Sequence, residues 1–339
     1  MRTPTLRDVA EAAGVHAATA SRALNPETRR LVNAETAKRV LRAAEALGFQ
    51  PNPMARGLKT SKSGTVGLVL PDITNPLFPP IVRGIEDVLS GAGFSALIVN
   101  TDNDAERERA QIASLRSRQV EGLIVATARL EHPLLAQLHD QHVNLVLVNR
   151  RTTALDVPWI TPDDAAGVDL AVRHLADLGH RRILHLAGPQ TTSTGVVRSR
   201  AFQSAVRDHG LDDDPSLIAA CDLWSEADGA RVLRGVLDAG TAFTAVVAGN
   251  DLIALGCYDV FRERGLNCPE DISVVGFNDM PLLDKLQPPL TTIGIPHHQI
   301  GVEAARMLLE SISEPDRPAR SVLLPVTLVR RGSTAPPRA

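Results

Sequence analysis

From Thr65 onward, short apolar runs alternate with longer stretches in which apolar residues recur every three or four positions. Runs rich in Val, Ile and Leu predict buried strands, whereas the longer spacing predicts helices with one apolar face. This alternation indicates parallel sheets covered by helices on both faces, and there are more strands than one such sheet needs, so we expect two lobes. Strands are predicted at 65–70, 95–100, 122–126, 144–149, 183–186, 217–220, 245–248 and 272–277, and helices at 80–91, 105–118, 164–178, 197–209, 226–239 and 252–264.

The first 50 residues show only the helical pattern. Thr5-Leu-Arg-Asp8 has the form of a capping box, with Thr5 as the N-cap and Asp8 reaching back to it. Gly14 tolerates the positive φ of a tight turn after this helix. A second helix is expected at Ala17–Leu24 and a third at 34–47, the third between the cap Asn33 and Gly48. Two short helices joined by a glycine turn and braced by a third predict a helix-turn-helix unit.

The second helix of such a unit is the one that enters the major groove of DNA. Arg22 on its outward side can give paired hydrogen bonds to guanine, and an alanine methyl can contact the methyl group of thymine. The hydroxyls of Thr19 and Ser21 suit phosphate oxygens. The alternative is a three-helix bundle in which Arg22 is merely solvated. The outward side carries His16, Ala17, Ala18, Ser21, Arg22 and Asn25.

Charge is distributed unevenly along the 339 residues. Residues 1–60 hold ten Lys and Arg but five Asp and Glu, a balance of +5, whereas the rest hold 26 basic and 34 acidic residues, a balance of −8. A basic head on an acidic body favours a polyanionic partner for the head. The apolar runs are much shorter than the ~20 residues of a membrane-spanning helix, and no signal peptide opens the sequence, so we expect no membrane association. The three cysteines form no CxxC pair, which makes a cytoplasmic location the default.

The stretch from Pro51 to Ser63 contains proline, glycine and lysine and predicts a link between head and body. Residues 52–59 could form about two helical turns, too few to be stable alone. A plain flexible linker is the alternative, and Gly57 favours it.

The run from Thr5 to Asn25, TLRDVAEAAGVHAATASRALN, resembles the opening signature of the lactose-repressor (LacI/GalR) family of bacterial transcription regulators. The resemblance continues through GFQPNPMARGL at Gly48 to Leu58 and then over nearly the whole chain. One departure is His16, which stands where the family has a small hydroxyl residue that caps the recognition helix. Either this helix begins less firmly, or His16 contacts a phosphate itself.

The resemblance implies an all-α helix-turn-helix domain followed by an α/β body of two lobes, like periplasmic binding proteins. The expected domains are the head at 1–50, the hinge at 51–63, the effector-binding and dimerisation body at 64–331 and a tail at 332–339. Lobe one would hold about 62–161 and 292–320, and lobe two about 162–291 and 321–331, with crossings near Thr161, Thr291 and Ser321. Helices 80–91 and 105–118 are expected at the homodimer contact, and the absence of a C-terminal leucine heptad favours a dimer over a tetramer.

The resemblance also assigns site residues. In the family, paired hinge helices order over the minor groove and a leucine wedges between bases there, which here is Leu58. Polar residues at several predicted strand ends indicate a ligand cleft between the lobes, and Arg198 is the arginine that typically forks to effector oxygens. Candidate DNA contacts are Thr5, Leu6, His16, Ala17, Ala18, Thr19, Ser21, Arg22, Asn25, Ala55, Arg56 and Leu58, and candidate effector contacts are Leu77, Phe78, Asn149, Arg150, Arg198, Trp224, Asn250 and Asp279.

The function expected from these features is a sequence-specific regulator, a repressor in its usual form, that binds a palindromic operator as a homodimer under control of a small effector. A sugar is the favoured effector, and no cofactor or metal is expected. The alternative is a solute-binding protein or an enzyme built on the same two-lobe body. The sequence has no GxSxG, GxxxxGK or GxGxxG motif. His139, Asp140 and His142 have a spacing that suits a metal, but we interpret them as a solvated surface, and Asp212-Asp-Asp-Pro215 as a loop.

Overall fold

The computed structural model describes residues 4–25, 28–49 and 63–338. The chain divides into two compact units, Met1–Gly64 and Thr65–Ala339. The predicted hinge, apart from Ser63, lies outside the described residues, and so do Ala55, Arg56 and Leu58.

The described residues of the first unit form three α-helices around a small apolar core: α1 (Leu6–Ala12), α2 (Ala17–Leu24) and α3 (Ala34–Ala46). The predicted capping box is present, since Thr5 N–H donates to Asp8 Oδ2 at 2.7 Å and Asp8 N–H donates to Thr5 Oγ1 at 3.3 Å. Gly14 turns the chain with φ +63°, and Gly48 follows α3 with φ +62°. The core is built from small residues that allow the helices to approach closely, namely Val9, Ala10, Ala13, Ala20, Ala23, Ala37, Val40 and Ala44.

One large apolar residue of α3, Leu41, is exposed. Leu41 leaves 36% of its surface accessible, whereas its neighbour Val40 is fully buried. Residues one apart on a helix point about 100° away from each other, so Val40 and Ala44 occupy the inner face and Leu41 lies at its border.

The second unit contains two six-stranded sheets in which β12 pairs antiparallel with β10 and the other strand pairs are parallel. In order across the first sheet the strands are β11 (Ser321–Leu324), β5 (Trp159–Pro162), β4 (Leu145–Val148), β3 (Leu123–Val125), β1 (Thr65–Leu70) and β2 (Ser95–Asn100). In order across the second they are β12 (Thr327–Val329), β10 (Thr291–Gly294), β9 (Ser273–Asn278), β8 (Ala245–Ala248), β6 (Ile183–Ala187) and β7 (Ile218–Ala220).

Helices cover the sheets as the alternating pattern predicts. Lobe one carries α4 (Phe78–Gly91), α5 (Ala105–Ser117), α6 (Pro133–Asp140) and α11 (His297–Ser313). Lobe two carries α7 (Asp164–Asp177), α8 (Ser193–Asp208), α9 (Glu226–Asp238) and α10 (Asp251–Arg264). Successive residues of β3 face opposite ways, so Leu123 packs in the cluster with α5 and α6 while Ile124 packs in the cluster with α4 and α11.

Two glycines allow α4 and α11 to pack directly backbone to backbone. A Cβ at Gly84 would lie 2.1 Å from the carbonyl oxygen of His298, and one at Gly301 would lie 2.0 Å from that of Ile81. Any side chain at either position would force the helices apart, so this contact requires glycine.

The strand pairing corrects two of the expected lobe boundaries. Thr291–Gly294 pairs with β9, which places 292–294 in lobe two, and Ser321–Leu324 pairs with β5, which places 321–324 in lobe one. The last two crossings therefore follow Gly294 and Leu324, because each strand completes its ladder before the chain leaves the lobe. None of the helices in the described part of the chain is long and apolar enough to cross a membrane.

Candidate effector cleft and DNA-binding surface

A cleft between the two lobes gathers side chains from the carboxyl ends of several strands. Asn149 and Arg150 follow β4, Trp224 follows β7, and Asn250 follows β8. Ligands of open parallel sheets lie at this edge, beyond the strand ends. The gap between these side chains, including the part that is open to solvent, has a volume of about 310 Å³. Its lining comprises Asn75, Leu77, Phe78, Asn149, Arg150, Thr194, Arg198, Trp224, Asn250 and Asn278.

Arg198 is held at the cleft by a buried ion pair and by aromatic rings. Its Nε and Nη2 lie 2.8 and 2.7 Å from Asp164 Oδ1, and its Nη1 donates to the carbonyl oxygen of Gly249 at 2.6 Å. The guanidinium carbon lies 3.6 Å from the centre of the Phe277 ring and 5.7 Å from that of Trp224. These partners fix the orientation of Arg198 and neutralise its charge.

Arg150, the second cation of the lining, has no such partner. Its side chain is buried, yet no carboxylate of residues 4–25, 28–49 or 63–338 lies within ion-pairing distance of its guanidinium. Burial, followed by the nearby charges of Arg198 and Arg129, lowers the pKa of Arg150 to about 10, against an opposing effect of Glu108.

Three buried polar atoms in the cleft lack hydrogen-bond partners within the described chain: Asn149 Oδ1, Trp224 Nε1 and Asn278 Oδ1. Unpaired buried polar atoms are rare because each costs about 1–3 kcal/mol. Their convergence on one space indicates that a ligand with its own donors and acceptors supplies the missing bonds.

Trp224 lies directly against Gly188, the residue after β6. A Cβ at Gly188 would lie 2.0 Å from the indole ring, so the flat face of Trp224 rests on bare backbone. Since any larger residue would displace the ring, Gly188 determines where Trp224 stands in the cleft.

Seven of the eight residues predicted for the effector line this cleft, and the eighth, Asp279, does not. The Asp279 carboxylate pairs with Arg331 Nη2 at 2.7 Å, and its neighbour Asn278 lines the cleft in its place. Asn250 has two roles, because its Oδ1 also caps α10 by accepting from Ile253 N–H at 2.9 Å.

The sequence reasoning missed three lining residues. Asn75 and Asn278 are polar residues at the ends of predicted strands, the same pattern that predicted the cleft, so the sequence could have identified them. Thr194 gave none, because α8 was predicted to begin at 197 and begins instead at Ser193, with Thr192 as its cap.

Asp251 lies behind the cleft and ties lobe two together. It is fully buried and accepts from Thr292 Oγ1 at 2.6 Å and from Met280 N–H at 3.0 Å. Burial raises its pKa to about 6 despite these two hydrogen bonds. The bond from Met280 fixes the segment that directly follows Asn278, the last residue of β9.

The candidate DNA-binding surface lies on α2. His16, Ala18 and Arg22 are exposed there, and Ala17, Thr19, Ser21 and Asn25 are half-buried. His16 is the N-cap of α2 and its Nδ1 accepts from Ala18 N–H at 3.3 Å. The unusual residue at position 16 therefore does cap the helix, through a ring nitrogen in place of a hydroxyl. Thr5 caps α1, and Leu6 packs against the core of the first unit.

Comparison with known proteins matches both parts of the chain. Residues 5–52 match the model of bacterial regulatory proteins of the lacI family, and residues 172–334 match that of the periplasmic binding protein-like domain. The transcriptional repressor CytR of Escherichia coli (strain K12) is 34% identical over 333 residues, which cover 97% of this chain and 96% of CytR.

Solved structures agree over the same length. The lac repressor dimer bound to operator and the anti-inducer ONPF matches with a TM-score of 0.87 and 27% identity, covering 98% of this chain and all of that one. The complex of the regulator CelR with cellobiose matches with a TM-score of 0.75 and 29% identity, covering 97% of this chain and 99% of that one.

Proposed function

The chain belongs to the lacI family of bacterial regulatory proteins, so it is a transcription regulator and not an enzyme. We propose that it represses transcription by binding an operator as a homodimer. A small effector bound between the lobes controls the operator affinity. The convergence of Asn149 Oδ1, Trp224 Nε1 and Asn278 Oδ1, all buried and unpaired within the described chain, carries the effector part of this proposal.

The effector contacts both lobes. The lining residues of lobe one are Asn75, Leu77, Phe78, Asn149 and Arg150, and those of lobe two are Thr194, Arg198, Trp224, Asn250 and Asn278. The two lobes are also hydrogen-bonded to each other directly. Leu130 N–H donates to the Thr191 carbonyl at 3.0 Å, and Arg151 N–H donates to Ser193 Oγ at 2.9 Å. Binding between the lobes therefore biases how they close on one another, and such coupling is typically worth about 1–3 kcal/mol.

Some of the proposed contacts of the head position it on the DNA backbone, and others recognise the base sequence. Arg22 specifies a guanine, while Thr5, Thr19 and Ser21 hold phosphates and Leu6 and Asn25 support that register. Ala17 and Ala18 contact base methyl groups, and His16 contacts the backbone beside its capping bond. The hinge contacts Ala55, Arg56 and Leu58 complete the set over the minor groove.

The proposed dimer forms through the body and makes the operator palindromic, with half-sites about one helical turn apart. Ile98 on the edge strand β2 and Ile73 in the loop after β1 expose 43% and 53% of their surfaces. These side chains flank α4 and offer apolar area to a second copy of the chain, which extends the helix contact expected from the sequence.

The proposed effector is a sugar or a similar polyol. Trp224 and Phe78 offer flat faces for a ring, and the amides of Asn149, Asn250 and Asn278 suit hydroxyl groups. The complex of CelR with cellobiose supports this class.

Selection of duplexes from a random DNA library by the full-length protein tests the DNA part. The expected result is enrichment of one twofold-symmetric sequence, whose affinity falls steeply with salt. A retained pool without symmetry would contradict a dimeric operator complex.

A further inference from the structure

The cleft carries positive charge that its own side chains do not offset. Arg150 and Arg198 are part of its lining, and no Asp or Glu is. Arg198 is already paired with Asp164 at 2.7 Å. Arg150 therefore contributes a full charge for which the part of the chain that the structure describes provides no counter-ion.

Glu108, the carboxylate whose charge reaches Arg150, is occupied elsewhere. It lies 3.1 Å from His132 Nε2 and 3.7 Å from Arg129 Nη2, and it also accepts from the Thr127 hydroxyl. A buried guanidinium without a counter-ion is strongly unfavourable. Only 6% of the surface of Arg150 is exposed, so water compensates little of its charge.

We propose that the effector is a hydroxylated anion, a small polyol that bears one phosphate or carboxylate group paired with Arg150. This inference rests on the proposed function, in which the cleft is the effector site. It narrows the effector class to ligands whose charge matches the cleft.

The polar atoms of the cleft define the rest of the ligand. Asn149 Oδ1 and Asn278 Oδ1 require donors, which hydroxyl groups supply, and Trp224 Nε1–H requires an acceptor. A neutral sugar would satisfy these three atoms and leave the charge of Arg150 unmatched. A simple inorganic anion would match that charge and leave the amide oxygens unpaired, so a ligand with both features fits best.

The test compares matched neutral and anionic probes by quenching of tryptophan fluorescence and by thermal shift. The probes are ribose, ribose 5-phosphate and ribonate; glucose, glucose 6-phosphate and gluconate; and inorganic phosphate. We expect the anionic member of at least one set to bind at least tenfold more tightly than its neutral parent, and inorganic phosphate to bind weakly. Comparison of the phosphorylated probes with the carboxylated probes shows which of the two anionic groups the cleft binds.

Variants assign the preference to Arg150. In Arg150→Gln the ratio of anionic to neutral affinity should fall close to one, while the thermal midpoint of the unliganded protein should not fall, because an unpaired buried charge is removed. The matched control is Arg151→Gln. The Arg151 guanidinium lies 5.0 Å from the centre of the Trp159 ring, outside the cleft lining, so this variant should keep the full preference.

Three results would overturn the inference: equal binding of neutral and anionic partners, an anion preference that survives Arg150→Gln, or no response to any anionic probe including phosphate. Operator binding is measured separately. A protein that binds a symmetric operator and releases it with a neutral sugar would retain the proposed function and refute only the anionic class.

Discussion

A buried histidine in the body should make the protein sensitive to acid. His185 lies in β6 with no exposed surface, its ring stacked on Phe202 at 4.7 Å between centroids and its Nδ1 2.8 Å from the Val247 carbonyl oxygen. Burial lowers its pKa from 6.5 to about 4, although the hydrogen bond to Val247 opposes this shift. The folded protein therefore keeps His185 neutral where the unfolded chain protonates it.

The sign and size of the effect follow from that difference. The unfolded chain takes up a proton as the pH falls below 6.5, and the folded protein does so only near 4, so the stabilisation is complete above 6.5 and is lost toward 4. At about 1.4 kcal/mol per pH unit, the full difference is about 3 kcal/mol, of which about 2 kcal/mol is lost between pH 7 and pH 5. Asp251, whose pKa is raised to about 6, acts in the opposite direction over this interval.

The assay is urea unfolding followed by tryptophan fluorescence at pH 7 and pH 5. Both tryptophans, Trp159 and Trp224, lie in the body, so the signal reports that unit. His185→Phe keeps a ring that can stack on Phe202 and removes the titrating imidazole. The variant also loses the hydrogen bond to Val247, which lowers its stability equally at both pH values. Wild type should lose about 2 kcal/mol more than His185→Phe between pH 7 and pH 5, and Asp251 cancels in this comparison. Exposed His139→Gln serves as the control. Identical pH dependence of the unfolding free energy in wild type and His185→Phe would show that folding does not lower the pKa of His185.

Three further predictions concern the two binding sites. Arg22→Ala should lower operator affinity by about 1–3 kcal/mol per half-site while hardly changing binding to random DNA, and equal losses on both in a gel-shift titration would show that Arg22 contacts only phosphate. Leu58→Ala, outside the described residues, should lower operator affinity at least tenfold with an unchanged circular dichroism spectrum, because the wedge that holds the kink is removed; unchanged affinity would contradict the wedge. Gly188→Ala should displace Trp224, shift its emission and weaken effector binding, because the new Cβ would lie 2.0 Å from the ring, whereas Gly235→Ala, with nothing within 4 Å, should change neither property.

Caps and turns could be predicted from the sequence, because they depend on residues that are close together along the chain. The capping box of Thr5 and Asp8 and the turns at Gly14 and Gly48 depend on residues a few positions apart, and each formed where its pattern predicts. The long apolar strands formed likewise. The pattern did not predict strands at Trp159–Pro162 and Thr291–Gly294, which are short and contain threonine or proline. They are strands because each pairs with a strand much later in the chain, β11 and β12 respectively.

The lining of the cleft depends on contacts between residues that are distant in sequence. Successive residues at a strand end point to opposite sides, so a shift of one position decides whether Asn278 or Asp279 faces the ligand. That choice depends on the partner of Asp279, Arg331, which lies 52 residues away along the chain. The unpaired charge of Arg150 is equally invisible in sequence, since it depends on Glu108 being occupied by other residues.

Reciprocal coupling between the operator site and the cleft would distinguish a regulator controlled by an effector from a protein with two independent binding sites. Operator affinity is measured by fluorescence anisotropy with and without a saturating cleft ligand, and the affinity of that ligand is measured with and without the selected operator. Both affinity ratios should depart from one by at least about fivefold and should be equal, as linkage requires. Two ratios of one, measured with a ligand that occupies the cleft, would show that the cleft does not control operator binding.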